Sequence, residues 1–422
     1  MNNKILTICF AICLLTPFVT EASSGTSFVS DSNGSRYALI DIIQATYRIM
    51  IEKQGTVSIT TEWNFDTAIE GPIVFDYVGD IKTAVLDNNA IEFLQMPMPD
   101  GLEMLQVSSI SVTPGNHNIT IKTSLLLEDN DLFFQFNDRK NRNFLEKYAP
   151  ANLQFDQYAS RFVIATNGIN ISDYTVIANG KITYKDNQIE VIFPSYYNCA
   201  SYFFHLFESS KYIVKQVGDL TIYGTDLQHE TFLMSETKSI EDIVANEFNE
   251  MEKLLGPWPH NYKIIKLLPF GGMEYAGAMN TSRSKLEHEI FHSYIGRSAM
   301  PRDGKAAWID EMLATWLDRA RPSFRSVDRV NAGLNQQIDL YARVTIADAY
   351  EYGFLVSGYL DFKLRKSNKS LFEFIRWFHQ KYKHSLFSYQ QFLEALEEYG
   401  NKDLRNDFEI IIGAKKKPWW YL

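Results

Sequence analysis

The first half of the chain alternates apolar and polar residues with the period of β-strands. A period of two places successive side chains on opposite faces of a strand, as expected for a sheet with one buried face. Asn179–Gly180 and Lys185–Asn187 interrupt one of these runs, at residues 174–193, and are typical hairpin turns. The alternating runs lie at residues 47–65, 115–127, 159–168, 174–193 and 211–224. Many short strands of this kind predict an antiparallel β-sandwich or a saddle-shaped sheet.

The period changes near Met234, and from there most apolar residues recur at helical spacing. Residues 239–256 form the first such segment, with Ser239 as a cap at the start and Gly256 followed by proline at the end. A strand, a turn and a second strand are predicted at 261–279, and helices with short breaks follow.

These patterns predict a multidomain α+β chain. We place the β-rich domain at residues 23–230 and a mostly helical domain at residues 231–422.

The amino terminus has the pattern of a secretory signal at residues 1–22. Lys4 precedes an apolar run from Ile5 to Val19, and small residues then allow cleavage after Ala22. The run is short for a membrane span, although an uncleaved anchor remains the alternative. We therefore expect a secreted or periplasmic protein with no stable membrane insertion after cleavage.

Composition excludes several classes of protein. Hydrophobic residues make up 45% of the 422 positions and charged residues 22%, which is typical of globular chains. The net charge of −10 disfavours nucleic-acid binding, for which a basic surface is expected. Two of the three cysteines lie within the signal, so Cys199 has no partner for an internal disulfide.

Residues 284–296, SKLEHEIFHSYIG, place two histidines and a glutamate in one apolar helical stretch. Ser284 and Glu287 fit a capping box that starts a helix. His288 and His292 are then one turn apart on one face, so both imidazoles reach a single ion, and Glu289 lies on the flank near a water on that ion. The alternative is a pair of ordinary buried histidines with hydrogen-bond partners.

A second helical segment supplies a third ligand. Glu311 follows His292 after 18 intervening residues and lies among large apolar side chains. A carboxylate in such surroundings is costly to bury without a cation, and a catalytic zinc needs three protein ligands and one open position. The alternative for Glu311 is an exposed helix acid.

The spacing of these residues resembles the zinc site of the gluzincins. GGMEYAGAM at 271–279 resembles the Gly-Ala-Met-Glu-Asn-Trp-Gly motif of the aminopeptidase N family, and DAYEYGFLVSGYLDFKLR at 348–365 resembles its tyrosine segment. The neighbouring glycyl aminopeptidases fit about as well. The resemblance spans residues 240–412 and implies a thermolysin-like catalytic domain, one Zn²⁺ per chain and release of N-terminal residues from peptides.

The resemblance implies a role for each matching residue. It gives His288, His292 and Glu311 as the zinc ligands. It also gives Glu289 as the general base and Tyr350 as the donor to the oxyanion.

The same resemblance places substrate binding on residues 271–274. Glu274 matches the glutamate that binds the free α-amine, and Gly271, Gly272 and Met273 lie beside it on the predicted strand. The glycines would let an extended peptide pair closely with the strand edge. The expected partners are therefore peptides with a free N-terminus.

Three departures from the family pattern keep other functions open. Tyr275 stands where the family has Asn, only 13 residues separate Glu274 from His288, and the chain ends soon after the catalytic helices. We expect a more open cleft, or one covered by a second subunit of a homo-oligomer. A zinc endopeptidase and a catalytically silent peptide-binding protein of the same fold are the alternatives.

Overall fold

The computed structural model describes most of the chain between residues 28 and 413. The predicted signal at 1–22 lies outside the described residues. The described ranges are 28–30, 35–53, 55–77, 79–97, 104–126, 149–153, 156–168, 170–185, 188–225, 227, 239–302, 305–325, 334, 345 and 347–413. Within these ranges, none of the helices combines the length and the apolar character needed to cross a membrane.

The amino-terminal half is built from strands. They are β1 (Phe28–Ser30), β2 (Arg36–Leu39), β3 (Asp41–Glu52), β4 (Thr56–Thr67), β5 (Gly71–Asp76), β6 (Ile81–Leu86), β7 (Asn89–Ile91), β8 (Phe93–Pro97), β9 (Met104–Val112), β10 (Gly115–Leu126), β11 (Ala159–Asn167), β12 (Tyr174–Ala178), β13 (Lys181–Lys185), β14 (Gln188–Phe193) and β15 (Phe204–Glu208), with a 3₁₀ turn at Ile171–Asp173. One sheet has the order β1-β2-β5-β9-β8, a larger one has the order β13-β14-β11-β3-β4-β10-β6-β7, and β12 pairs with β15.

The two large sheets share one hydrophobic core, as the predicted sandwich requires. The ring of Trp63 on β4 packs edge-to-face against Phe75 on β5, with the ring centroids 5.4 Å apart, and Phe75 in turn packs against Phe93. These side chains belong to one cluster that takes buried residues from both sheets.

Two details of the predicted sheets are wrong. Each large sheet contains one parallel pair, β3 with β11 and β2 with β5, because long crossing connections return the chain in the same direction. The turn at Asn179–Gly180 does not close a hairpin, since β12 pairs with β15 while β13 pairs with β14. The strands that flank the predicted turn at Lys185–Asn187, β13 and β14, do pair with each other, although residues 186 and 187 lie outside the described residues.

The carboxy-terminal half combines one mixed sheet with helices. Its strands are β16 (Ile213–Val217), β17 (Leu220–Gly224), β18 (Lys263–Leu267), β19 (Gly272–Tyr275), β20 (Ala278–Thr281), β21 (Ala299–Pro301) and β22 (Ser385–Phe387). Its helices are α1 (Ile240–Leu255), α2 (Leu286–His292), α3 (Trp308–Asp318), α4 (Ala347–Arg365), α5 (Leu371–Tyr382), α6 (Tyr389–Tyr399) and α7 (Lys402–Ile411), with a 3₁₀ turn at Arg283–Lys285. The sheet order β16-β17-β18-β20-β19 leaves β19 at an edge.

Strand pairing places the division between the halves ahead of the predicted boundary at 230. The hairpin β16–β17 belongs to the sheet of the carboxy-terminal half, because β17 pairs in parallel with β18. Leu220 and Ile222 accordingly pack in the core of the helical half. The pattern of alternation alone assigned this hairpin to the β-rich domain, since alternation does not reveal which sheet a strand joins.

Helix α1 begins and ends where the sequence predicts. The hydroxyl of Ser239 accepts a hydrogen bond from the Asp242 amide at 3.1 Å, and Gly256 terminates the helix with a φ of 100°. The buried face of α1 packs against the same core as α2 and α3, so this core supports the segments that carry the histidines and Glu311.

The amino-terminal half fixes the loop that follows β19. The carbonyl of Ala276 accepts hydrogen bonds from the Asn179 amide at 2.8 Å and the Tyr197 hydroxyl at 2.9 Å. The Ala276 amide donates to the Ser201 carbonyl at 3.3 Å. The position of β19 therefore depends on both halves of the molecule.

Candidate metal centre

Helix α2 starts differently from the sequence prediction. The Ser284 side chain does not cap it, because residues 283–285 form a 3₁₀ turn that runs directly into Leu286. The Lys285 amide donates to the Ser282 carbonyl within this turn, and the Ser284 hydroxyl contacts that of Ser282. A turn of this kind satisfies backbone donors that a capping box would otherwise serve.

Three predicted ligands converge between α2 and α3. The Nε2 atoms of His288 and His292 are 3.0 Å apart, and Glu311 Oε2 lies 3.2 Å from the first and 3.5 Å from the second. Ligand atoms of a tetrahedral zinc site are separated by ~3.3 Å, from zinc–ligand bonds of about 2.0–2.1 Å. All three side chains are buried, so the triangle has the dimensions and the chemistry of a zinc site.

Two carboxylates lie behind the imidazoles, and the nearer one, Asp318, orients His288. Asp318 Oδ2 lies 3.1 Å from His288 Nδ1, and Asp310 Oδ2 lies 3.9 Å from His292 Nδ1. The sequence analysis missed both residues. Asp318 follows Glu311 by seven positions on α3, and this two-turn spacing, which places both on one helix face, was the available signal.

Charges within the cluster reinforce one another. Burial alone would lower the pKa of His288, but the carboxylates of Asp318 and Glu311 outweigh it and raise that pKa to about 9. Burial would likewise raise the pKa of Glu311, but the two imidazoles hold it well below its usual range. Glu311 therefore stays ionised, as a metal ligand must be.

Glu289 lies buried beside the triangle. Its side chain is 4% exposed, and its Oε2 atom has no hydrogen-bond partner within the described residues. Burial, together with the nearby charge of Glu274, raises the pKa of Glu289 to about 8. A Cβ at Gly272 would come within 1.9 Å of Glu289 Oε1, so the missing side chain at this position admits the carboxylate.

The edge strand β19 carries Glu274 towards the metal cluster. Glu274, His292 and Asp310 bring ligand atoms within 4.8 Å of one another. Met273 faces the other side of the strand and packs against the β-rich core. Gly271, with a φ of 80°, makes the turn into the strand.

Arg297 is a residue of this site that the sequence analysis missed. Its Nη2 donates to Glu274 Oε1 at 2.6 Å, and its Nε donates to the Glu274 carbonyl at 3.2 Å. It follows Gly296 in a stretch that the sequence predicts only as a break between helices. The spacing of apolar and polar residues there does not indicate a contact with β19.

Tyr350 projects from α4 to the far side of Glu311. Its hydroxyl donates to Glu311 Oε1 at 2.6 Å, although the residue as a whole is 40% exposed. Burial of the hydroxyl raises the pKa of Tyr350 above its ordinary value, so the phenol remains a donor. The structure thus brings together every predicted ligand and catalytic side chain, and places Glu274 at the same cleft.

Comparison with known proteins identifies the fold. No protein-family model matches the sequence, and no curated protein is similar to it in sequence. An M1 zinc metallopeptidase from Deinococcus radiodurans is 14% identical, with a TM-score of 0.59 over 90% of this chain and 95% of that chain. Leukotriene A4 hydrolase from Saccharomyces cerevisiae is 14% identical, with a TM-score of 0.61 over 95% of this chain and 72% of that chain. A crystal structure of the Deinococcus protein holds a Tyr-Ser-Ala substrate.

Proposed function

We propose that this chain, which has the fold of M1 zinc metallopeptidases and leukotriene A4 hydrolase, is a zinc aminopeptidase with a thermolysin-like catalytic domain. The observation that carries the proposal is the triangle of His288, His292 and Glu311 ligand atoms, 3.0–3.5 Å apart, beside the buried carboxylate of Glu289. A structural histidine pair needs neither a third ligand at this spacing nor an unpartnered carboxylate next to it.

One Zn²⁺ per chain would be held by His288 Nε2, His292 Nε2 and Glu311 Oε2. When bound, zinc polarises the peptide carbonyl and lowers the pKa of a water towards ~7. Asp318 would hold His288 in the tautomer that presents Nε2, because its Oδ2 atom faces His288 Nδ1 at 3.1 Å.

Glu289 is the proton carrier of the proposed reaction. Its carboxylate takes a proton from the attacking water as the carbon–oxygen bond forms, and returns it to the amine nitrogen as the carbon–nitrogen bond breaks. The Tyr350 hydroxyl, 2.6 Å from Glu311 Oε1, lies beside the ligand triangle and would donate a hydrogen bond to the developing oxyanion.

Recognition of the substrate depends on the free edge of β19. An extended peptide adds to this edge as a further strand, and Gly271 and Gly272 allow its close approach. Glu274 on the same strand then faces the terminal ammonium, so the carboxylate positions the first peptide bond at the metal.

The test is hydrolysis by the purified full-length chain. We expect one zinc per chain by elemental analysis, release of the first residue from aminoacyl anilides, and loss of activity with a chelator that zinc restores. N-acetylated anilides should be poor substrates. Equal rates for free and acetylated substrates would instead establish an endopeptidase, and a zinc-loaded but inactive chain would establish a binding protein.

Glu289→Gln is the sharpest variant for the mechanism. We expect kcat to fall by about two to four orders of magnitude while the zinc content stays at one, since the amide keeps the shape but cannot accept the proton. Glu287→Gln is the matched control, because Glu287 pairs with Arg321 on the outer side of the same helix. Activity of the Glu289→Gln protein close to that of its control would reject the assigned base.

Export is a separate proposal that rests on the sequence of residues 1–22. We expect the mature chain in culture medium or periplasm to begin after Ala22. Amino-terminal sequencing of the fractionated protein checks this, and an intact terminus at Met1 in a membrane fraction would favour the uncleaved anchor.

A further inference from the structure

We propose that Arg297 is a positioning residue for the amine subsite: it ties Glu274 to the helix of the metal ligands and so sets the affinity for peptides with a free N-terminus. This rests on the proposed aminopeptidase function and concerns a residue outside the ligands and the base.

The guanidinium of Arg297 holds Glu274 at two points. One bond, from Nη2 to Oε1 at 2.6 Å, fixes the rotation of the carboxylate. The other, from Nε to the Glu274 carbonyl at 3.2 Å, fixes the backbone of β19 at the same residue. Both side chains are nearly buried, 7% exposed for Arg297 and 12% for Glu274, so water competes little for these bonds.

The other end of Arg297 is anchored to the helix that carries the histidines. Its backbone amide donates to the His292 carbonyl at 2.9 Å, directly after the turn made by Gly296 with a φ of 124°. Arg297 therefore bridges the last metal ligand of α2 and the edge strand. The distance between an amine-binding carboxylate and the metal decides which peptide bond is cut, and this bridge spans that distance.

Arg297 also supplies the positive charge that Glu274 needs in its surroundings. Glu274 faces the carboxylates of Glu289 and Asp310, and the guanidinium faces Asp310 as well. Because Arg remains charged at any working pH, it offsets this repulsion permanently. Oε2 of Glu274 accepts no hydrogen bond from the described residues, which leaves that atom for a substrate ammonium.

The experiment measures binding separately from turnover. In a Glu289→Gln background, calorimetry gives the Kd of Tyr-Ser-Ala and of N-acetyl-Tyr-Ser-Ala for the zinc-loaded protein. We expect Arg297→Gln to raise the Kd of the free peptide about tenfold, because this change corresponds to the loss of one charge-assisted hydrogen bond. The Kd of the acetylated peptide and the zinc content should not change. Arg297→Lys should give an intermediate Kd.

A double-variant comparison separates positioning from a general structural role. In a chain that already carries Glu274→Gln, adding Arg297→Gln should change the Kd of Tyr-Ser-Ala by less than about twofold, because coupled residues are not additive. Arg321→Gln is the matched control, an arginine paired with Glu287 on the outer face of α2. If Arg297→Gln does not fold, Arg297→Lys carries the same comparison.

Two results would overturn the inference. One is equal weakening of the free and the acetylated peptide. The other is an undiminished effect of Arg297→Gln when Glu274 is already replaced. Failure of the proposed function is distinguishable, because an inactive zinc-loaded wild type leaves these binding constants measurable.

Discussion

At the residue scale, the hydroxyl of Tyr350 can act on the metal ligand Glu311 or on the substrate. The two roles predict different effects of its removal on kcat and on zinc content. It donates to Glu311 Oε1 at 2.6 Å, so it orients a metal ligand in this structure. In the proposed reaction the same hydroxyl donates to the substrate oxyanion, and a single oxyanion donor contributes about 10²–10³ in kcat.

We expect Tyr350→Phe to lower kcat about a hundredfold and to leave the zinc content at one, because the two imidazoles and Glu311 still hold the metal. Stopped-time anilide assays and elemental analysis on one preparation check both values. Tyr352→Phe on the same helix, at similar exposure, is the control. If the zinc content falls in step with the activity, orientation of Glu311 is the main role of the hydroxyl.

At the scale of elements, the contact between α3 and α4 places Tyr350 against Glu311. Gly353 lies one turn after Tyr350, and a Cβ there would come within 2.6 Å of Met312 Cα, next to the ligand. A backbone atom cannot move aside as the end of a flexible side chain can. Helices α3 and α4 must therefore separate if Gly353 is replaced by a residue with a side chain.

We expect Gly353→Ala to destabilise the protein by about 1–3 kcal/mol and to lower kcat more than it lowers zinc binding, because α4 moves Tyr350 away from the cluster. Chemical denaturation and steady-state kinetics measure the two effects. Glu351→Ala on the exposed side of α4 controls for changes in the helix itself. Unchanged kcat in a destabilised Gly353→Ala protein would show that the site tolerates this movement.

The sequence predicts elements and local constellations better than contacts between them. His288, His292 and Glu311 were predictable because helical spacing places the histidines on one face and a buried acid requires a cation. The contact of Arg297 with Glu274 and the pairing of β12 with β15 were not predictable, because both depend on which segments meet in space. The chain crossing that makes β3 and β11 parallel likewise has no local signature.

At the scale of the whole molecule, the β-rich half holds strand β19 in place. Ile264, Tyr275, Ala276 and Ala278 of the carboxy-terminal sheet belong to the core cluster of the β-rich half. The predicted fold class, a β-rich half followed by a helical half, is confirmed. The two halves share a hydrophobic core at β19. A residue far from the metal in sequence can therefore control the position of Glu274.

Asn179 tests this dependence, because its buried side chain makes three hydrogen bonds near β19. Its amide donates to the carbonyls of Ser201 at 2.7 Å and Ala276 at 2.8 Å, and its Oδ1 accepts from the Phe203 amide at 2.8 Å. Asn179→Ala leaves these backbone groups without that partner, so we expect the free energy of unfolding to fall by about 3 kcal/mol.

The same variant should also raise KM for free-amine substrates more than it changes kcat, because the loop after Glu274 loses a support while the metal ligands keep theirs. Denaturant unfolding gives the stability, and kinetics on free and N-acetylated anilides give the specificity. Asn170→Ala, which removes only an exposed bond to Asp173, is the control and should change stability by less than about 0.5 kcal/mol. An Asn179→Ala protein that is less stable but unchanged in KM would restrict the β-rich half to a supporting role.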